Sequence, residues 1–464
     1  MHQSVTFDAE LLRAYDISGP RYTSYPPATQ FTEAFGEADY RAAADASNDD
    51  PIPRPLSLYV HVPFCTSPCF YCGCTRIITR DPLKGRIYLD HLLHEIELQA
   101  RLFDPDRVVD QLHLGGGTPT FLSNEQLAEL LAGMRKHFRL RNDEGREFSI
   151  EIDPRTVDEQ RMQQLADLGF NRVSLGVQDF DPVVQQAVNR IQGVEETLGV
   201  MQAARRAGIS SINLDLIYGL PFQSLEGFSR TLETVIEARP ERLAVYSYAH
   251  LPRMFKAQRQ IDERTLPSPE TKLALLELAI TMLTAAGYIY IGMDHFALPD
   301  DELVLAQRRG DLQRNFQGYS TRAECDMIGL GMSSIGKVGD TYSQNIKELG
   351  KYQAALAEGR LPVVRGLRLN EDDRLRRAVI QQLMCHGELD YVAVGERWQI
   401  DFRSYFADAL SRLRRLADDS LVELAEDRLT VTPRGRLLLR VVAMCFDRYQ
   451  RAFPEMSERF SRVI

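Results

Sequence analysis

Four cysteines fall within ten residues of one stretch, Ser57–Arg80, SLYVHVPFCTSPCFYCGCTRIITR. Cys65, Cys69 and Cys72 are spaced C-x3-C-x2-C, and Cys74 follows after one glycine. Thiols this crowded hold a metal, a cluster or disulfides. Three thiolates in a short loop can hold three irons of a 4Fe–4S cluster and leave the fourth iron open to a ligand. The same spacing lies within the range of structural zinc. Zinc sites usually bring a second ligand pair, and the other cysteines, Cys325, Cys385 and Cys445, stand far apart in the chain. Those three read as small buried hydrophobes. Cys74 is open as a fourth ligand, a reactive thiol or a buried bystander.

Other candidate groups follow downstream. Gly115-Gly116-Gly117-Thr118 closes a strand-like run, where glycines let the backbone approach a ligand and offer N–H groups to a carboxylate or phosphate. Alone it is a weak signal, because turns often have this composition. Glu151 could pair with an amine, and Asp215 with a ribose hydroxyl or a cation; taken singly, each is more often a solvated carboxylate. His61 lies inside the first strand, either satisfied in the core by a backbone partner or facing the rim.

The elements that must position these groups can be read from periodicity. From Ser57 onward, short apolar runs alternate with helical segments at βα spacing: SLYVHV, DQLHLG, EFSIEID, RVSLGV, SINLDLIYG and RLAVYSYAH. Helical periodicity marks Ile87–Phe103, Glu125–Phe138, Val157–Leu168 and Leu266–Ala286. Ser123 with Gln126 predicts a capping box, and Ser268 with Pro269 predicts a helix start. GYIYIGMDHFA, Gly287–Ala297, is expected as a further strand running into a polar loop. Repeated βα units predict a parallel sheet, doubly wound or curled into a full or partial barrel. Its six strands end at the cysteine loop, Gly115–Thr118, Glu151, Gln178, Asp215 and Ala249-His250. In a parallel barrel those ends share one rim, where an active site is built.

The flanks differ. Residues 1–56 read as an irregular arm, with turn-rich GPRYTSYPP (Gly19–Pro27), a helix at Glu37–Ala46 and a Pro-rich bridge. Its Arg21, Tyr22, Thr23, Ser24 and Tyr25 would suit a lid over a polar ligand. The core with its extension is expected over 57–365. Residues 366–464 are expected to form a mainly helical, winged-helix-like domain with helices at Glu371–Cys385 and Phe402–Asp418, then a hairpin and a further helix.

Composition bounds the class. The 464 residues are 44% hydrophobic and 26% charged, as in ordinary globular proteins. The N-terminus lacks the apolar core of a signal peptide and no run approaches a membrane span, so a cytoplasmic location is expected. Thiols stay reduced there, which disfavours disulfides. A net charge of −10, from 55 basic and 65 acidic residues, argues against nucleic acid as the main partner. An anionic substrate must therefore be held by local arginines, with Arg21 a candidate.

CTSPCFYC after YVHVPF resembles the cysteine signature of radical S-adenosylmethionine (SAM) enzymes, and GGGTP resembles their SAM-binding glycine motif. More narrowly, the chain resembles the oxygen-independent coproporphyrinogen III oxidases. The resemblance is carried by GPRYTSYPP, CFYCGC, HLGGGTPT, IEIDPR, GVQDF, NLDLIYGLP, YAHLP, GMDHFA, RNFQGY and the terminal FSRVI. It implies a partial (β/α)6 barrel of the radical SAM type. It also implies one 4Fe–4S cluster on Cys65, Cys69 and Cys72, with a first SAM contacted by Tyr59, Gly116, Glu151 and Ile335. A second SAM would be contacted by Tyr71, Gly117, Thr118, Gln178, Arg190, Asp215 and Ala249. Cys74 matches a cysteine associated with activity, and His61 a position linked to function. Glu151 is placed with Cys74 and His61 as catalytic.

The implied reaction is anaerobic oxidative decarboxylation of two propionates of coproporphyrinogen III to vinyl groups, giving protoporphyrinogen IX for haem. A 5′-deoxyadenosyl radical takes hydrogen from each propionate β-carbon. The implied partners are the substrate and an electron-donor protein such as flavodoxin or ferredoxin, and the implied state is a monomer. The rival is a haem chaperone or other haem-handling relative. Such relatives typically lack the equivalent of Cys74 and the PRYTSYP arm, both of which are present here.

Overall fold

The computed structural model describes residues 5–322 and 325–452. FSRVI, Phe460–Ile464, lies outside the described residues. Thirteen strands form one sheet. Its centre is six parallel strands in sequence order: β1 Leu56–Val62, β2 Val108–Gly116, β3 Glu147–Ile152, β4 Arg172–Gln178, β5 Ser211–Tyr218 and β6 Arg242–Ser247. Helices connect them: α1 Pro82–Ala100, α2 Asn124–His137, α3 Glu159–Asp167, α4 Val194–Arg206 and α5 Leu225–Ala238, with α6 Pro269–Ala285 after β6. Of the parallel-sheet forms that the periodicity leaves open, this is the partial (β/α)6 barrel that the family resemblance implies. The sheet path has two ends and does not close.

Local chemistry sets the helix starts. Asp81, Ser123, Asp158, Ser224 and Ser268 each accept a backbone N–H of the first turn. Ser123 and Gln126 form the reciprocal capping box. Such caps contribute about 1 kcal/mol each. In β1, Leu58, Val60 and Val62 are fully buried beneath the helices, each worth about 2 kcal/mol of hydrophobic burial.

Several boundaries differ from the periodicity: the helix expected over Ile87–Phe103 starts at Pro82, where Asp81 caps it, and ends at Ala100. Gly287–Ala297 is a hairpin rather than one strand: β7 Ile289–Gly292 pairs antiparallel with β8 His295–Ala297, and β8 pairs antiparallel with β6. Met293 at φ 54° makes the turn. Glu371–Cys385 extends to His386, where Gly387 at φ 70° caps the helix. Phe402–Asp418 breaks at Phe406 into Phe402–Tyr405 and Ala407–Asp418.

At the other edge β9 Asp326–Leu330 runs parallel to β1, followed by the antiparallel strands β10 Ile335–Val338, β11 Thr341–Asn345 and β12 Val363–Arg368. Buried Glu95 on α1 ties this extension down, accepting from Gly331 N at 2.7 Å, Asn345 Nδ2 at 2.7 Å and Tyr352 OH at 2.6 Å. After it, helices surround a three-stranded antiparallel sheet of Glu388–Asp390, Arg428–Val431 and Val422–Leu424. A second hydrophobic core joins this region to Leu12, Tyr15, Tyr22 and Tyr25 of the arm. Among the described residues no helix is long and apolar enough to cross a membrane.

Candidate active site

The cysteine loop leaves β1 at Pro63 and returns beside it, with Phe64 and Cys65 pairing in parallel with Ile77 and Ile78. Ile77 N donates to Pro63 O at 2.7 Å and Thr79 N to Cys65 O at 2.9 Å, which closes the neck. Arg76 ties the interior, donating to the carbonyls of Cys72 and Cys69 at 3.0 Å each. From outside, Asn189 Nδ2 donates to Pro68 O at 2.7 Å and Phe70 N to Val188 O at 2.9 Å. Contacts to its backbone therefore hold the loop in place.

One cavity brings together most of the predicted residues. Its wall carries Cys65, Cys69, Cys72 and Cys74 with Tyr71; Gly116, Gly117 and Thr118; and Glu151, Gln178, Arg190 and Asp215. Strand alternation explains the convergence: in β3 the apolar Phe148, Ile150 and Ile152 are buried, while Glu147, Ser149 and Glu151 are turned the other way. Gln178 ends β4 at φ 69° after a register shift between Gly176 and Gln178. Such a left-handed, bulged residue costs about 1–3 kcal/mol and is held by its surroundings.

The thiols sit among donors. Thr118 Oγ1 donates to Cys65 Sγ at 3.4 Å, Arg190 Nη1 to Cys69 Sγ at 3.6 Å and Cys74 N to Cys72 Sγ at 3.4 Å. Hydrogen bonding from Cys74, aided by the charges of Arg76 and Arg190, holds the Cys72 thiol down to about 6 against its burial. Burial pushes Cys65 up. Among the described residues no three His, Cys, Asp or Glu side chains converge on a point for a single metal ion. Three thiols on a shared cavity wall are the donor set that three irons of a 4Fe–4S cluster take.

The glycine stretch is a cradle. A Cβ on Gly117 would meet Pro63 C and Phe64 O at 2.7 Å, and one on Gly116, at φ 108°, would strike the His61 ring at 2.5 Å. Glu151 lies across it: Gly116 N donates to Oε2 at 3.1 Å, and His113 Nε2 is 3.2 Å from Oε1. Burial pushes Glu151 up, but the His113 and Gly116 interactions outweigh it and leave the carboxyl below its ordinary value. Asp215 goes the other way, raised to about 6 by burial first and the Glu151 charge second, although Asn213 and Ser174 donate to it at 2.9 and 3.0 Å.

Five predicted residues stand off this wall. His61 is buried under Gly116, with Nε2 2.9 Å from Thr75 O and Nδ1 3.2 Å from Tyr59 OH. The Tyr59 ring stacks on His113 at 5.8 Å. The Ala249 carbonyl is held near the loop by Gln258 Nε2, which donates to it at 3.2 Å and to Tyr71 O at 2.9 Å. Ile335 lies one strand beyond Gly329, the β9 partner of Tyr59, and packs near Phe31 and Tyr342. Arg21, the candidate for an anionic substrate, pairs instead with Asp294 and lies 5.8 Å from the Tyr246 ring centre.

His113, Asp153, Ser174 and Asn213 escaped sequence reasoning. Asp153 anchors Arg190 Nη1 at 3.2 Å, while Arg190 Nη2 donates to Gly176 O at 2.7 Å. A usable signal was present for two of them: Asp153 and Asn213 stand two residues from Glu151 and Asp215 on a strand or its end, and so face the same way.

Comparison with known proteins adds the identity. Residues 59–235 match the radical SAM superfamily model and residues 369–438 the HemN C-terminal domain model. The chain is 52% identical over 465 residues to an oxygen-independent coproporphyrinogen III oxidase of Pseudomonas aeruginosa, covering 100% of both chains. It is 48% identical to the enzyme of that name from Escherichia coli, covering 100% of this chain and 99% of the other. The solved Escherichia coli coproporphyrinogen III oxidase, described as a radical SAM enzyme, superposes with a TM-score of 0.91 at 46% identity, covering 96% of this chain and 100% of that one. A likeness that runs the full length, at this identity, places the chain in the family of oxygen-independent coproporphyrinogen III oxidases within the radical SAM superfamily.

Proposed function

We propose that this protein oxidatively decarboxylates two propionate side chains of coproporphyrinogen III to vinyl groups, giving protoporphyrinogen IX in haem biosynthesis. The observation that carries the reading is the convergence of three thiols, the glycine cradle, Glu151, Arg190 and Asp215 on one cavity in a chain of this family. Cys65, Cys69 and Cys72 would hold the 4Fe–4S cluster. Tyr59, Gly116, Glu151 and Ile335 would hold one SAM; Tyr71, Gly117, Thr118, Gln178, Arg190, Asp215 and Ala249 would hold a second. When bound, the cluster and SAM would supply the one-electron radical chemistry needed to take hydrogen from a propionate β-carbon.

The protein's own part is binding, orientation and exclusion of water. Glu151, ionised and fixed at both oxygens, is the acceptor for a ligand ammonium group. Asp215, ionised above about pH 6, accepts ribose hydroxyls. Arg190 faces Cys69 and Asp153 together, so it balances negative charge at the thiolates and steadies a ligand carboxylate. Gly116 and Gly117 let the end of β2 close on His61, Pro63 and Phe64 where a Cβ would clash, and their N–H groups, donated to Glu151 Oε2 and Val62 O, fix the floor of the cavity. His61 acts as a positioning residue beneath Gly116, and Cys74, exposed at the loop surface, acts without ligating iron.

The enzyme works in the cytoplasm as a monomer, receiving electrons from a small carrier such as flavodoxin or ferredoxin. The test is anaerobic turnover of coproporphyrinogen III with SAM and a reductant, with products separated by chromatography. Formation of protoporphyrinogen IX supports the reading, and its absence with intact cluster and SAM overturns it.

A further inference from the structure

The segment after β6 covers the cysteine loop and exposes positive charge beside it. Gln258, buried, donates to Tyr71 O at 2.9 Å, and the Phe255 ring lies so close to Gly73 that an added Cβ would sit 3.0 Å from it. Around these two anchors Arg253, Met254, Lys256 and Arg259 are exposed, Met254 by 56%. Among the described residues no carboxylate lies within salt-bridge distance of Arg253, Lys256 or Arg259, whereas the neighbouring Arg264 is paired with Asp262 and His250 with Glu263. The chain as a whole carries −10, so this cationic patch runs against the net charge. Phe222, in the loop between β5 and α5, donates its N–H to Thr265 O at the far end of this segment at 2.8 Å and is 55% exposed. Exposed Met and Arg with a polar rim are what interfaces favour.

We propose that Arg253, Met254, Lys256 and Arg259 form the docking surface for a small acidic one-electron carrier protein. The proposal rests on the cluster assignment above. Phe255 and Gly73 put a carrier seated here one side chain from the Cys72–Cys74 backbone. One electron leaves the carrier's reduced flavin or iron–sulfur centre and passes to the cluster held by the loop; no group or bond is transferred at this surface. Charge complementarity sets encounter and orientation, so affinity falls with salt. Arg76, which clamps the loop from within, is a separate element and not part of the surface.

The test is binding of a flavodoxin to the cluster-loaded protein, measured calorimetrically across ionic strength, for the natural sequence and the variant Arg253→Glu/Lys256→Glu. The proposal expects salt-dependent binding that the variant weakens by about tenfold or more. SAM cleavage driven by dithionite, a small reductant that needs no docking, stays within about twofold, and Lys256→Arg keeps binding. Equal flavodoxin binding by both proteins overturns the proposal, as does failure of the natural protein to bind either a flavodoxin or a plant-type ferredoxin. Loss of dithionite-driven cleavage in the variant gives the segment a structural role and also overturns it. Self-association or duplex DNA binding abolished by the same variant assigns the patch another occupant and does the same. Failure of the natural protein to cleave SAM with dithionite sinks the functional reading instead, a result that the binding measurement does not share.

Discussion

His113 and Glu151 face each other across neighbouring strands, with His113 Nε2 3.2 Å from Glu151 Oε1. Ser149 Oγ, 2.6 Å from His113 Nδ1, fixes the imidazole from its other side. Gly116 N takes the second carboxylate oxygen. Both oxygens are thereby directed, and the Tyr59 ring is stacked on the same imidazole. His113 positions two residues proposed to hold SAM.

His113→Ala should weaken SAM binding about tenfold, the worth of one charge-assisted hydrogen bond. His113 also opposes the burial that pushes Glu151 up. Without it the Glu151 pKa rises, so on acidification SAM affinity begins to fall at a higher pH than in the natural protein. Equilibrium binding across pH checks both effects, and His113→Gln, which keeps a donor, should recover part of the affinity. An unchanged pH profile in His113→Ala would remove the positioning role.

Asp215 gives a second pH dependence. Its carboxyl titrates near about 6, raised by burial and then by the Glu151 charge. If the ionised form accepts ribose hydroxyls, SAM affinity drops as pH falls through 6, by about tenfold per unit below it. Asp215→Asn should flatten that limb. Glu151→Gln should move the break to lower pH, because removing the neighbouring charge lowers Asp215. Calorimetry from pH 5 to 8 reads both, and a break that stays in Asp215→Asn would assign it elsewhere.

The glycines should rank by what a Cβ meets. Gly117→Ala drives into the backbone of Pro63 and Phe64, and Gly116→Ala adds positive-φ strain to a clash with His61. Each should cost about 2–3 kcal/mol and reduce SAM binding by more than about tenfold. Gly115→Ala meets the Glu151 carboxyl first and should keep the fold while displacing that group. Thermal melts alongside SAM titrations distinguish the three, and equal losses would argue against a cradle.

The cysteines should separate. Cys69→Ser should lose iron, sulfide and 5′-deoxyadenosine formation together, since three ligands are the minimum for the cluster. Cys74→Ser should keep the iron and sulfide content within about a fifth of the natural value while product formation falls by more than about a hundredfold. Iron and sulfide analysis with electron paramagnetic resonance after anaerobic reconstitution reads the cluster. Loss of cluster in Cys74→Ser would make that residue a ligand.

The barrel was legible because its determinants are local. Apolar runs, caps such as Ser123 and Ser268, and the cysteine spacing each act within a few residues. The site residues were legible mostly through family motifs, since a lone Glu151 or Asp215 looks like any strand-end carboxylate. What escaped depends on partners distant in sequence. Glu95 gives no hint that it will be buried against Gly331, Asn345 and Tyr352, more than two hundred residues away. Arg21 reads as a free cation over the rim until Asp294 is seen beside it. Gly287–Ala297 became a hairpin through a left-handed Met293, a conformation its residue type does not advertise.

The central claim is tested most directly by product stoichiometry. Cluster-loaded protein is incubated anaerobically with coproporphyrinogen III, SAM and a reductant, and porphyrinogen, 5′-deoxyadenosine and carbon dioxide are counted together. The account predicts one protoporphyrinogen IX for every two molecules each of carbon dioxide and 5′-deoxyadenosine. SAM cleavage with the propionates left intact would contradict it and turn the assignment toward a haem-handling relative.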